Sequence, residues 1–259
     1  MIDEPMWPTS ASLYLEPISP GGAPLADATG FVVKRFDGAE FLLTARHVLT
    51  GRHDISKEIM HSSGAVPKKI NIYHYSSWMS APEIVTQELY DDDDNPLYLE
   101  DPSMIDFETA DVAALPLSPP RYGAIVRSYE LVSPAERPSV TAPVWIIGYP
   151  VGSRSGGHGL AVWSRGSIAT DPVTTWHGDR FLIDSRTRPG QSGAPVISYV
   201  PAHSSYSPDG QTRHEFPASW KLLGLYSGRL PNFDKESSDL GSVWNTSVIR
   251  SVIQGGWAG

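Results

Sequence analysis

Pro189-Gly190-Gln191-Ser192-Gly193-Ala194-Pro195 is the stretch on which the reading of this chain turns. It follows Arg180 to Ser185, expected to be a strand, and leads into the apolar Val196-Ile197. A serine between glycines in a tight loop suits acyl transfer. Backbone N–H groups can converge there on the oxygen that becomes negative in the transition state. Gly and Ser also build ordinary turns, so the heptapeptide alone does not separate a nucleophile loop from a surface turn.

Segments upstream supply what is missing. Phe41-Leu42-Leu43-Thr44-Ala45-Arg46-His47 runs an apolar strand into Thr-Ala and delivers a histidine at its tip. Thr109-Ala110-Asp111-Val112-Ala113-Ala114-Leu115 opens an apolar run with an aspartate. The order His47, Asp111, Ser192 differs from the subtilisin order and from that of the α/β-hydrolases. Gly190-Gln191-Ser192-Gly193-Ala194 also lacks the second glycine of the hydrolase elbow, and no helix is expected after it.

With these residues the chain resembles a trypsin-like (chymotrypsin-fold) serine protease of the bacterial, cysteine-free type. In motif style it is similar to the HtrA/Deg proteases and the glutamyl endopeptidases. The resemblance extends from about Ala11 to Ile253. It includes Ile146-Ile147-Gly148-Tyr149-Pro150, Arg165-Gly166-Ser167-Ile168-Ala169 and Leu222-Leu223-Gly224-Leu225-Tyr226-Ser227-Gly228. It implies an all-β fold of two six-stranded antiparallel β-barrels with a short C-terminal helix. Residues 1–259 would form a single peptidase domain: a first barrel at about 11–117, a linker at about 118–143, a second barrel at about 144–244 and the helix at about 245–254.

The resemblance also assigns roles. Ser192 would be the nucleophile, His47 the base that later acts as acid, and Asp111 the group that fixes the imidazole tautomer. The N–H groups of Gly190 and Ser192 would form the oxyanion hole. Asp106, in Ile105-Asp106-Phe107, is a rival for the acid; the Asp-Val-Ala-x-Leu run favours Asp111. Ser227 would support the acid, or be a plain strand serine. Tyr226, Ser227 and Gly228 would offer backbone partners to an extended protein or peptide substrate.

In the same register Arg186 falls at the base of the primary pocket, Thr187 on its wall and Arg229 opposite. Trypsins carry an aspartate at the base, so the charge would be reversed and a substrate carboxylate favoured. The alternative is that Arg186 points outward, since a slip of one residue turns a strand side chain to the other face. Gln191 stands where trypsins have the aspartate that pairs with a cleaved N-terminus, and no Ile-Val-Gly-Gly segment appears. The oxyanion loop is therefore either already formed or ordered by a regulatory protein partner. Two functions remain open: a serine endopeptidase acting through an acyl-enzyme, and a latent chymotrypsin-fold binding or signalling module switched on inside the cell.

Composition bounds the rest. Gly and Pro contribute 23 residues each, which suits many short strands joined by turns. A net charge of −9 and a pI near 5.3 argue against a nucleic-acid surface. The absence of cysteine excludes disulfides, thiol nucleophiles and thiolate zinc sites. Asp91-Asp92-Asp93-Asp94 lacks the spaced ligands of a calcium loop, so no metal or other cofactor is expected. Neither a basic, apolar leader nor a membrane-length apolar run is visible, which gives a cytoplasmic, non-membrane expectation.

Local patterns place the strands. Ser12-Leu13-Tyr14-Leu15 reads as an edge strand, and Asp37-Gly38 as a hairpin turn between Ala28–Lys34 and the strand that carries Leu42 and Leu43. Ile70-Asn71-Ile72-Tyr73-His74 reads as the one strand in residues 52 to 105, the remainder as surface loops. Asn245 or Thr246 caps a helix with Val248, Ile249, Val252 and Ile253 on one face. Trp145 and Trp163 read as core. His53, His74, His158, His177 and His214 lack a catalytic context and read as solvated or hydrogen-bonded side chains.

Overall fold

The computed structural model describes residues 7–75, 81–101, 110–120, 124, 126–131, 138–152, 159–171, 179–206, 213–230, 239–255 and 257–258. After a short helix, α1 (Trp7–Ala11), the N-terminal half builds β1 (Ser12–Ile18), β2 (Ala28–Lys34) and β3 (Glu40–Thr44). A single helical turn follows, α2 (Arg46–Thr50). Then come β4 (Lys69–His74), β5 (Glu83–Glu88), β6 (Leu99–Glu100), β7 (Ala113–Pro116) and β8 (Ser128–Tyr129).

The β2–β3 hairpin forms around Asp37-Gly38 as its sequence implies. Gly38 has a φ of 87° and its N–H bonds Arg35 O at 2.9 Å, while Phe31 faces Leu43 across the ladder. Burial of Phe31, Leu42 and Leu43 holds this hairpin, each such side chain contributing about 1.5–3 kcal/mol. β1 is not an edge. It pairs with β2 on one side and β4 on the other, so its apolar residues are covered throughout.

The C-terminal half supplies β9 (Pro143–Gly148), β10 (Val162–Ile168), β11 (Arg180–Asp184) and β12 (Pro195–Val200). A separate hairpin, β13 (His203–Tyr206) with β14 (Arg213–Phe216), precedes β15 (Ser219–Arg229) and β16 (Leu240–Asn245). Strands β10-β11-β16-β15-β12-β9 close into a six-stranded barrel. Helix α3 (Thr246–Gly255) then buries Val248, Ile249, Val252 and Ile253, and β17 (Trp257–Ala258) returns to pair with β6.

The fold is thus all-β in two lobes with a short terminal helix. The first lobe is a nine-stranded sheet in the order β17-β6-β7-β3-β2-β1-β4-β5 with β8 beside β2, and it is not closed among the described residues. Its excess over six strands comes from β6, β8 and β17, of two residues each, which exist only through their partners. Trp145 and Trp163 are half-buried against the larger core. No helix of the described residues is long and apolar enough to cross a membrane.

The four-aspartate run is a hydrogen-bonded turn. Asp91 Oδ1 accepts from Asp93 N at 3.0 Å and Asn95 N at 2.8 Å, and Asp94 meets Lys68. Among the described residues no group of three or more His, Asp or Glu is placed to hold a metal ion.

Candidate active site

His47 lies on α2, one turn of helix set directly after β3, rather than on the strand itself. Gly51 ends this turn in the left-handed region, at a φ of 65°, and its N–H bonds His47 O at 2.9 Å. Asp111 sits just before β7, which pairs with β3, so the β3–β7 ladder brings the two residues together. The contact is double. His47 Nδ1 bonds Asp111 Oδ2 at 2.7 Å, and His47 N donates to Asp111 Oδ1 at 2.8 Å. From the other lobe Ser227 Oγ donates to Asp111 Oδ2 at 2.5 Å.

Asp111 is 1% exposed. Burial alone would raise its pKa, but the His47 charge and the bonds from His47 and Ser227 outweigh that and hold the carboxyl below the usual carboxylate range. Burial likewise pulls His47 down, and the Asp111 charge and hydrogen bond more than offset it, leaving His47 above the ordinary histidine value. Asp106, His158 and His177 lie outside the described residues. His74 departs from its expected solvated or bonded state. It is 1% exposed, both ring nitrogens lack a partner among the described residues, and burial lowers its pKa to about 4.

Ser192 shares a cavity of about 190 Å³ with His47, Asp111, Ser227 and Gly228. Its loop is held from several sides. Gly190 and Gly193 have φ values of 93° and 84°, and a Cβ on either would lie 2.3 Å from Tyr149 O or 2.1 Å from Thr29 O. Only glycine fits there. Thr29 Oγ1 donates to Gly190 O at 2.7 Å, and Thr29 N to Ser192 O at 3.0 Å, so β2 clamps the loop across the lobe interface.

Val151 N donates to Pro189 O at 2.5 Å from a left-handed conformation, φ 50°. In a planar trans peptide the C=O and the next N–H point opposite ways. Fixing Pro189 O therefore turns Gly190 N–H to the other side. Within the loop, Gln191 N, Gly193 N and Ala194 N bond Arg188 O, Tyr226 O and Gln191 O. Gly190 N and Ser192 N find no carbonyl among the described residues. Those two are the amides expected to receive an oxyanion.

Gln191 is fully buried, with Oε1 accepting from Arg188 N at 2.8 Å and Nε2 donating to Ser164 Oγ at 2.9 Å. Its presence next to the serine was visible in the sequence, but not these partners. Thr187 is buried with its Oγ1 2.5 Å from Tyr226 OH, and Arg229 Nη2 donates to Thr187 O at 2.6 Å. Arg186 does not join them. It lies past the end of β11, is exposed and lines a separate cleft with Arg165, Ser167 and Asp184, while Thr187 is buried.

A two-lobed β fold with one closed six-stranded barrel, and an acid-paired histidine and a serine loop on one cavity, has the architecture of the chymotrypsin-like class. The trypsin-like peptidase domain family matches residues 28–200, more than half of the chain, and the protein belongs to that family. It is accordingly a serine protease, a hydrolase of protein or peptide substrates. Among solved structures, the active form of the Rv3671c protease from M. tuberculosis is 17% identical with a TM-score of 0.48, over 97% of this chain and 82% of that one. Its inactive form is 17% identical with a TM-score of 0.45, over 95% of this chain and 88% of that one. No curated protein matches the chain.

Proposed function

We propose that the protein is a serine endopeptidase that cleaves through an acyl-enzyme, with Ser192 as nucleophile, His47 as base and then acid, and Asp111 as the residue that orients His47. The observation that carries this reading is the buried Asp111–His47 pair. With Nδ1–H donated to Asp111, the Nε2 lone pair is left to take a proton. Ser192 Oγ attacks the substrate carbonyl as its proton passes to Nε2, and the Gly190 and Ser192 amides receive the negative oxygen. Collapse breaks the C–N bond, and His47 gives its proton to the departing amine. Water, deprotonated by His47, then adds to the acyl carbon; the C–Oγ bond breaks and His47 returns the proton to Ser192 Oγ. The described residues contain no Ser192–His47 side-chain bond within hydrogen-bond range; such contacts are commonly long before substrate arrives.

The same reading takes residues 1–259 as one peptidase domain. Incubation with an unfolded protein and mapping of fragments by mass spectrometry tests it. Internal cuts by the wild type that vanish in Ser192→Ala are expected.

The loop contacts favour a standing site over a latent one. Gln191 takes the place of an activation salt bridge, tying the loop to β10 through neutral hydrogen bonds. Gln191→Ala should lower kcat by about 10²-fold through displaced oxyanion donors, with KM little changed. Steady-state kinetics on a peptide amide reads this split. Unchanged kcat, or a wild type silent until a cellular partner is added, would return the latent-module alternative.

For the residue whose carbonyl is attacked, the reading assigns acid preference to Arg229, beside the Thr187–Tyr226 hydroxyl pair, and no longer to Arg186. Cleavage after Glu or Asp is expected, with Arg229→Ala lowering the Glu-over-Ala ratio about tenfold, the scale of one charged hydrogen bond. A preference for small apolar residues that Arg229→Ala leaves unaltered would contradict this.

A further inference from the structure

The cavity beside His47 has a polar floor that peptide-bond chemistry does not use. It opens because β15 carries Gly228 at this point: a Cβ built there meets nothing within 4 Å. Ser242 lies directly across the β15–β16 ladder from Gly228 and lines the same cavity. Ser242 is 6% exposed and its Oγ has no hydrogen-bond partner among the described residues. A buried hydroxyl in that state is costly unless something completes it. Arg180 also lines the floor, its guanidinium 4.6 Å from the Trp244 ring centroid.

The rim is of a different character. Ile55 and Met60 are 53% and 56% exposed and, with Leu230, present apolar surface at the mouth. The acidic groups of the lining are already bonded: Asp111 by His47 and Ser227, and Asp54 Oδ1 by Ile55 N at 3.0 Å. An apolar mouth over a hydrogen-bonding floor suits a side chain with an unbranched stem and a terminal oxygen.

We infer that this cavity takes the side chain of the substrate residue immediately before the scissile one and selects an acceptor oxygen on a two-methylene stem, the chemistry shared by Glu and Gln. The inference rests on Ser192 and His47 acting as proposed. A substrate strand added along Ser227 and Gly228 alternates its side chains. With the attacked residue directed toward Thr187 and Arg229, its predecessor faces His47 and the Gly228 opening. Its stem crosses Ile55, Met60 and Leu230, and its oxygen accepts from Ser242 Oγ. A cavity of about 190 Å³ holds such a side chain.

The test is kcat/KM for peptides identical except for Glu, Gln, Met, Leu or Ala at that position, on wild type, Ser242→Ala and Gly228→Leu. Glu and Gln should exceed Met, the same length without the acceptor, by about tenfold. Ser242→Ala should bring that ratio close to one, and Gly228→Leu, which fills the opening, should depress all the long side chains relative to Ala. Glu above Gln adds the Arg180 cation to the recognition, and Gln equal to or above Glu leaves it to the hydroxyl; both support the inference. Met or Leu preferred, or an acceptor preference that survives Ser242→Ala, overturns it. Equal cleavage of all the peptides by a wild type whose Ser192 reacts with a fluorophosphonate overturns this inference alone. A wild type that neither cleaves nor reacts overturns the catalytic reading with it.

Discussion

Ser192→Ala should lower peptide hydrolysis by about 10⁶-fold, and His47→Ala by a similar factor, because the members of such a unit fail together rather than additively. The double variant should be no worse than either single one. The Ser192 side chain is half-exposed on the cavity and forms no part of either core cluster. Circular dichroism and the thermal midpoint of Ser192→Ala should therefore match the wild type. Residual turnover above background in Ser192→Ala, with a different serine taking up label, would move the nucleophile elsewhere in the chain.

Asp111→Asn should lower turnover by roughly 10⁴-fold. An amide at this position offers N–H where Nδ1–H now finds an acceptor, so the imidazole adopts the tautomer with its proton on Nε2. The pH profile should change as well, and its sign follows from the local charges. As the proposed base, His47 works only when neutral, so activity should rise as pH climbs through its pKa. Asp111 holds that pKa above the ordinary value of about 6.5, which places the acid limb of kcat/KM above that pH in the wild type. In Asp111→Asn the burial that opposes the imidazolium remains while the opposing charge is gone. The limb should shift to lower pH. An unshifted limb, or a loss smaller than that from Asp106→Asn, would transfer the acid's role from Asp111.

What was legible in the sequence was local. The contexts of His47, Asp111 and Ser192 are each a few residues long, and each couples a strand end to a loop whose chemistry can be read directly. The Asp37-Gly38 hairpin and the apolar face of α3 were legible for the same reason. What escaped depended on partners far along the chain. β5, Glu83-Ile84-Val85-Thr86-Gln87-Glu88 at a sheet edge, has no apolar-polar alternation and reads as loop, since only its pairing with β4 makes it a strand. β1 read as an edge because four alternating residues do not reveal that the sheet continues past both sides. The sequence left open whether Arg186 faces the pocket or points outward, because the choice depends on Thr187, whose hydroxyl meets Tyr226 from a distant strand. The cavity floor joins Arg180, Gly228 and Ser242, one each from β11, β15 and β16, and no spacing in the sequence links them.

As the proposed nucleophile of a site that stands formed without a partner, Ser192 should be activated toward electrophiles in the isolated protein. Labelling of the purified protein with a fluorophosphonate, with the modified residue located by mass spectrometry, tests it most directly. Stoichiometric phosphonylation of Ser192 is expected in the wild type alone, with none in Ser192→Ala or His47→Ala. A wild type that stays unlabelled, or one labelled at another serine, would contradict it.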